Sequence, residues 1–327
     1  MARTTRSKRT PDPAAVLRAL DAGDGCEALA AALAHRHYRV VARAAELAGE
    51  RLCYVLEPAL IHAFRRLAGQ DHRADPGCQA KGAIVRALVA LDCLDAGVYR
   101  DGIALCQPEP VWGGTTDTAT DVRASCAMGL AVSGDPRALV DLAGLLADPE
   151  HRARTGAARA IACTAPLAAE ALLRFKVLTG DEDSEVTGEC LRGLLEVAPD
   201  TAPAFVAERL DAPDPTIGEL AALALGESRL DVAVELLRAR WEETPFKRSR
   251  DRVLLRAAVL ARTEPAFDWL LGLIVGSDQA TAAFVVTELA VYRTNAALRA
   301  RVQAAVAERG GDLDACFDDA WASSAAE

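Results

Sequence analysis

The chain contains few aromatic residues, few lysines and no long hydrophobic run. Aromatic side chains make up 5% of its 327 residues, and four of its 37 basic residues are lysines, whereas the rest are arginines. A core with so few aromatic rings has to be built from Ala, Leu and Val, and Ala and Leu favour helices. The most apolar stretch, residues 267–286, is interrupted by Asp278, so we expect no membrane span.

Sequence signatures of catalysis and of metal binding are also missing. The nine cysteines form no CxxC pair, and the five histidines show no metal-finger spacing. His35 and His37 are two positions apart, which on a helix directs them to different faces. No apolar signal-peptide segment follows the basic N-terminus. We therefore predict no catalytic, cofactor-binding or metal-ligating residue, and we expect a reduced, cytoplasmic setting.

The net charge of −10 is unevenly distributed along the chain. Residues 1–110 hold 15 Lys and Arg against 13 Asp and Glu, so the acidic excess lies downstream of them. An acidic chain is a poor general binder of nucleic acid. Any basic surface should lie near the N-terminus, where residues 1–13 are expected to form a disordered basic arm. Nucleic-acid binding through this basic third is kept as an alternative function.

A helical pattern recurs with a period near thirty residues. Its apolar anchor positions are separated by 29 to 35 residues, a spacing typical of helical solenoids. The anchors are Leu130, Ile161, Leu194, Leu225, Leu260 and Leu289. Between successive anchors lies a second amphipathic segment, such as "PRALVDLAGLLA". The short connections between these helical segments, called joints below, contain Asp or Ser. These residues suit the start of a helix, where a short side-chain oxygen can accept a hydrogen bond from a backbone N–H.

The segment "TATDVRASCAMGL", with Asp121, Val122, Arg123 and Leu130, is followed by "GDPRALVDLAGLLADPEHRARTGAARAIA". Together they resemble HEAT-like repeats, and in particular the bacterial phycobilisome-lyase type. The resemblance implies an all-α, right-handed α-solenoid of about eight helical-hairpin repeats. We expect irregular repeats over 14–107, regular repeats over 121–309, and a capping helix with a tail over 310–327.

The segment "PEPVWGGTTDTAT", residues 108–120, differs from its surroundings. We interpret it as a connector without a strand, in which Trp112 packs against neighbouring helices and Thr118 or Thr120 caps the next helix. The alternative is a loop that lines a partner site. A phosphate cradle is disfavoured, because such loops follow a strand and carry a Lys at the start of a helix.

A solenoid of this kind suggests a non-catalytic protein–protein interaction scaffold or adaptor that uses its concave face. We expect a monomer that binds a protein partner whose identity the sequence does not reveal. Two alternatives remain: a HEAT-like enzyme of the lyase or DNA-glycosylase type, and the nucleic-acid binder described above. Each arginine on the inner helices has a second interpretation, an ion pair with a joint aspartate of a neighbouring repeat. The candidate partner-binding residues are Trp112, Arg123, Arg154, Arg159, Glu189, Arg192, Glu219, Arg256, Tyr292 and Arg293.

Overall fold

The computed structural model of the chain describes residues 12–23, 25–244, 249–311 and 313–322. The predicted basic arm, residues 1–13, lies outside the described residues except for its last two positions. The chain divides into two compact units, Met1–Leu172 (unit 1) and Leu173–Glu327 (unit 2). The division falls within one helix, α10 (Pro166–Thr179).

Unit 1 consists of paired helices. They are α1 (Pro13–Asp21), α2 (Cys26–Leu33), α3 (Tyr38–Glu50), α4 (Glu57–Ala68), α5 (Gln79–Ala90), α6 (Ala96–Ile103), α7 (Thr120–Val132), α8 (Ala138–Leu145) and α9 (His151–Ala162). Helices α3, α5, α7 and α9 pack side by side in one row. Helices α2, α4, α6 and α8 form a second row, and each packs on its successor in the chain.

Unit 2 repeats this arrangement. Its helices are α11 (Ser184–Val197), α12 (Ala202–Ala207), α13 (Pro215–Glu227), α14 (Asp231–Glu243), α15 (Val253–Ala261), α16 (Glu264–Gly276), α17 (Gln279–Leu289), α18 (Ala296–Arg309) and α19 (Leu313–Ala320). The odd-numbered helices form one row, and α12, α14, α16 and α18 form the other.

Short 3-10 helices occur in both units. They cover Tyr54–Leu56, His72–Ala74, Pro76–Cys78, Glu208–Asp211, Ser249–Arg252 and Ala290–Tyr292. The helical-hairpin repeats predicted from the sequence are confirmed.

Small residues let the odd-numbered helices approach closely. A Cβ atom at Gly226 of α13 would overlap the backbone carbonyl of Ala257 in α15, so this crossing requires glycine. Aspartates at the joints begin these helices as expected. Asp183, Asp214 and Asp278 each accept a hydrogen bond from a backbone N–H in the first turn of α11, α13 and α17, respectively.

Residues 108–120 are not the strandless connector that the sequence suggested. Strands β1 (Pro108–Val111) and β2 (Gly114–Asp117) pair as an antiparallel hairpin between α6 and α7. The prediction of a Thr118 or Thr120 cap is also wrong: α7 begins at Thr120 without a side-chain cap. The backbone N–H of Ala119 donates instead to Asp117 Oδ1 over 3.0 Å.

The C-terminal helix α19 lies within residues 310–327, where the sequence predicted a capping helix, and it buries one apolar face. Leu313 and Phe317 are buried against the rest of unit 2, and Trp321 directly after the helix is fully buried. The Trp321 indole Nε1 donates to the carbonyl of Val286 in α17 over 3.0 Å. The indole therefore satisfies its single N–H donor inside the core of unit 2.

Candidate binding site at the α6–α7 hairpin

The hairpin between α6 and α7 turns on two residues, Trp112 and Gly113. Val111 pairs with Gly114, and Gly113 has a φ of 89°, in the left-handed region that glycine adopts without strain. Pro108 and Pro110 remove two N–H donors from β1, a device that discourages pairing at a strand edge. The hairpin is thus a tight turn with one strand protected against further pairing.

The carboxylate of Glu109 holds the base of the hairpin to the start of α5. Its Oε1 accepts the backbone N–H of Gly77 over 2.7 Å, the amide of Gln107 over 2.8 Å and the Thr118 hydroxyl over 2.7 Å. The same Gln107 amide donates to the carbonyl of Asp75 over 2.9 Å. Three donors from three segments therefore converge on one carboxylate oxygen.

Asp117 holds the other strand of the hairpin. Its Oδ1 accepts the backbone N–H of Gln107 over 2.9 Å, and its Oδ2 accepts the guanidinium of Arg123 over 2.5 Å. Arg123 is 4% exposed and also donates to the carbonyl of Leu105 over 2.8 Å. Its Nε lies 3.0 Å from the carboxylate of Asp148, in the joint between α8 and α9. One guanidinium thus connects the hairpin to the next helix pair.

The Asp117–Arg123 pair belongs to a spacing that repeats along unit 1. An aspartate at a joint precedes a basic residue by six positions at Asp75 and Lys81, at Asp117 and Arg123, and at Asp148 and Arg154. The buried Lys81 ammonium lies 3.1 Å from Asp75, and Arg154 donates to the carbonyl of Asp148 over 2.8 Å. This spacing is visible in the sequence and would have predicted these arginines to be interior residues.

The carboxylates of the hairpin base are stabilised in their charged form. Burial alone would raise the pKa of Glu109, but the hydrogen bonds from Gln107, Thr118 and Gly77 outweigh it, and its pKa is lowered. Burial likewise opposes the ionisation of Asp117, yet two backbone N–H groups and Arg123 lower its pKa. Both groups are therefore held as charged hydrogen-bond acceptors that fix the hairpin.

In contrast to its base, the hairpin tip (residues 110–116) is exposed and uncharged. The Trp112 side chain has a relative exposure of 103%, so the prediction that it packs against neighbouring helices is wrong. Val111 is half exposed beside it, and the tip has no charged side chain. A large apolar side chain is thus presented to solvent on a base that is fixed by ion pairs and hydrogen bonds.

Comparison with known proteins gives structural likeness only. No protein-family model matches the chain, and no curated protein does. One similar solved structure is that of the complex of CpcE and CpcF of phycocyanin lyase from Nostoc, at 15% identity and a TM-score of 0.42. The alignment covers 88% of this chain and 98% of that one. An engineered protein matches at 18% identity with a TM-score of 0.41, covering 95% of this chain and 90% of the other.

The described residues form an all-α helical-repeat fold into which one β-hairpin is inserted. This assignment follows from the helix pairs of units 1 and 2. No helix in the described ranges is both long and apolar enough to cross a membrane. Among the same residues, no three His, Cys, Asp or Glu side chains are grouped so that they could hold a metal ion.

The other predicted partner-binding residues lie in different environments. In unit 1, Arg123 and Arg154 are buried and Arg159 is exposed. For Arg123 the structure shows the second interpretation, an ion pair with joint aspartates of its own and the next repeat. Of those in unit 2, Glu189 is buried, Arg192 and Tyr292 are half-buried, and Glu219, Arg256 and Arg293 are exposed.

The half-buried residues of this set in unit 2 also have partners within the unit. Arg192 pairs with Glu189 on the same helix. The Tyr292 hydroxyl donates to the carbonyl of Val259 over 2.7 Å. Among the exposed residues, Arg256 pairs with Glu288 over 3.0 Å. Their role in partner binding stays a prediction.

Proposed function

We propose that this chain is a non-catalytic protein-binding scaffold and that the hairpin tip of unit 1 is one of its docking points. The observation that carries the proposal is the full exposure of Trp112 on a base held by Glu109, Asp117 and Arg123. Tryptophan is enriched among the residues that dominate binding energy at protein interfaces. A hairpin backbone that is held in place before binding loses less conformational entropy when a partner covers the indole at its tip.

The charge of the tip favours a protein partner over a nucleic acid. Residues 110–116 lack the Lys and Arg side chains that phosphate binding requires. Two arginines elsewhere in the N-terminal third are paired with carboxylates: Arg43 lies 2.8 Å from Asp21, and Arg65 lies 2.9 Å from Asp101. An apolar pocket on a folded partner fits the tip better than a phosphate backbone does.

The state of the cysteines supports a non-catalytic role. Burial raises the pKa of the thiols of Cys78, Cys93 and Cys126, which keeps them protonated near neutral pH. A thiol in this state is a weak nucleophile, because the thiolate is the reactive form. These side chains act as small hydrophobic residues in the core of unit 1.

The proposal is tested by replacing the indole. We expect Trp112→Ala to leave the Tm unchanged, because the side chain makes no packing contribution to the fold. We expect it to weaken binding of the partner by about 30-fold, the loss typical of a hot-spot Trp. Partners are captured from a lysate of the source organism by the full-length protein, and the affinity of each purified partner is then measured by titration calorimetry.

The matched control is Tyr54→Ala, since Tyr54 is a second exposed aromatic residue of unit 1 outside the hairpin. A partner that is retained by wild type and Tyr54→Ala but lost by Trp112→Ala supports docking at the hairpin tip. Equal capture by all three proteins would exclude the tip as a docking point. Recovery of nucleic acid alone, released by moderate salt, would favour the nucleic-acid alternative.

A further inference from the structure

Two cysteines that are distant in sequence meet at the N-terminal edge of unit 1. Cys26 is the first residue of α2, and Cys53 lies in the turn between α3 and α4. Their Sγ atoms are 2.8 Å apart across a separation of 27 residues. A disulfide bond is about 2.05 Å long, so the sulfur atoms need to move by roughly 1 Å or less to form one.

Both cysteines are held on ordered backbone. The backbone N–H of Cys53 donates to the carbonyl of Ala48 over 2.9 Å, which closes the last turn of α3. Cys26 follows Gly25, whose extended backbone begins α2 and whose carbonyl accepts the N–H of Ala28 over 3.0 Å. The proximity of the two sulfur atoms therefore comes from the packing of α2 beside α3 and α4.

We propose that Cys26 and Cys53 form a reversible disulfide, a modification site that covalently ties α2 to the turn between α3 and α4. The oxidant is a low-molecular-weight disulfide such as oxidised glutathione. The site requires no other group of the protein, and the inference is independent of the proposed function of the hairpin tip.

The two thiols differ in solvent exposure, and this difference sets the order of the two thiol–disulfide exchange steps. Cys26 is half-buried, whereas Cys53 is 8% exposed. The Cys26 thiolate attacks one sulfur of oxidised glutathione, forming a mixed disulfide and releasing one glutathione thiolate. The Cys53 thiolate then attacks Cys26 Sγ, forms the internal disulfide and releases the second glutathione thiolate. Two protein thiols are oxidised, one glutathione disulfide is reduced, and the two protons leave with the products.

Burial of Cys53 suits it to the second step. Burial and the neighbouring Cys26 raise the pKa of the Cys53 thiol, so it is a poor nucleophile toward outside oxidants while Cys26 is a free thiol. A mixed disulfide at Cys26 carries no charge, so the contribution of Cys26 to the raised pKa is lost and Cys53 ionises more readily for the second step. A buried thiol that faces an activated sulfur reacts within the protein faster than with solutes, because the two atoms are already in contact.

The bond would act on the part of unit 1 with the smallest core. Helix α1 buries Leu20, and α2 buries Leu29, Ala32 and Leu33. Helices that bury few side chains open more readily than helices with larger cores. Closing the chain between Cys26 and Cys53 removes part of the entropy that α2 gains on detaching.

The test incubates the reduced full-length protein with oxidised glutathione in the absence of oxygen. We expect the intact mass to fall by two hydrogen atoms, and a peptide map without reductant to contain Cys26 linked to Cys53. Amide exchange in α2 is expected to slow by at least about tenfold, and the Tm to rise on the order of 5 °C. Reduction by dithiothreitol should reverse all four changes.

Variants separate the two steps from nonspecific oxidation. Cys53→Ala, which keeps the site apolar, is expected to stop at a glutathione adduct on Cys26. Cys163→Ser removes an exposed thiol elsewhere and is expected to change nothing. The proposal is overturned if the linked peptide does not form while exposed thiols are modified. It is also overturned if the bond forms but exchange in α2 stays unchanged.

Discussion

A single buried arginine explains how unit 1 holds a hairpin between two of its helices. The Arg123 guanidinium donates to Asp117 on the hairpin, to the carbonyl of Leu105 before it, and to Asp148 at the following joint. Burying a charge is costly unless it is paired and hydrogen-bonded. At Arg123 the pairing links three segments that are separate in sequence, so the residue acts as a structural clamp.

We expect Arg123→Ala to lower the free energy of unfolding of unit 1 by about 3 kcal/mol, because it leaves the carboxylates of Asp117 and Asp148, each 12% exposed, without the buried cation between them. The measurement is urea denaturation followed by circular dichroism. The control is Arg152→Ala, which removes an exposed arginine lying 3.5 Å from Asp121 and should cost under about 1 kcal/mol. Equal losses for the two variants would contradict the clamp.

At the scale of helices, the close crossing of α13 and α15 depends on a glycine, Gly226, at the point of contact. Gly226 places its Cα against the backbone of Ala257, where a Cβ would overlap the carbonyl oxygen. A backbone atom cannot rotate away as a flexible side chain does, so the two helices would have to separate. Gly272 in α16 is a different case, because a Cβ there meets no atom within 4 Å.

We therefore expect opposite effects from the same substitution at these two positions. Gly226→Ala should destabilise unit 2 by about 3 kcal/mol through overpacking. Gly272→Ala should stabilise it by about 0.5–1 kcal/mol, because alanine is the better helix former. Both changes in the free energy of unfolding are to be measured by thermal and urea unfolding. If Gly226→Ala were neutral, the close approach of α13 and α15 would not be a constraint of the fold.

Elements with a regular pattern could be predicted from the sequence, and the hairpin could not. Repeated anchors such as Leu130 and Leu194 marked paired helices because each helix buries one apolar face. Val111, Thr115 and Thr116, on either side of a turn at Gly113, are residues that favour strands. Each strand is only four residues long, which is too short for a clear alternating pattern. The contacts that stabilise it, from Glu109 and Asp117, come from tertiary neighbours that periodicity does not reveal.

At the scale of the whole molecule, both units contain carboxylates whose pKa is lowered by their neighbours in the fold. Among the described residues of unit 1, hydrogen bonds and arginine partners lower the pKa of Asp71, Glu109, Asp117 and Asp135. In unit 2 the pKa of Asp278 is lowered, chiefly by the hydroxyl of Thr281. A carboxylate whose pKa is lower folded than unfolded stabilises the fold only while it is charged.

These lowered pKa values predict how the fold responds to acid. The stabilising contribution is complete above the unfolded pKa values, about 3.9 for Asp and 4.3 for Glu, and is lost as pH falls through the lower folded values. We expect the segment around the hairpin base, residues 105–123, to be among the first to lose protection from amide exchange as the pH falls from 5 to about 2.5. Peptide-resolved exchange, corrected for the intrinsic rate at each pH, measures both units in one sample.

A control separates this effect from general acid repulsion. Asp117→Asn removes one of the lowered carboxylates, so the variant should be less stable at neutral pH and should change less between pH 5 and 2.5. Repulsion among positive charges acts on both units and is screened by salt, whereas the buried pair of Asp117 and Arg123 is screened much less. Simultaneous opening of both units, delayed equally by salt, would show that net charge and not the hairpin base sets the acid sensitivity of unit 1.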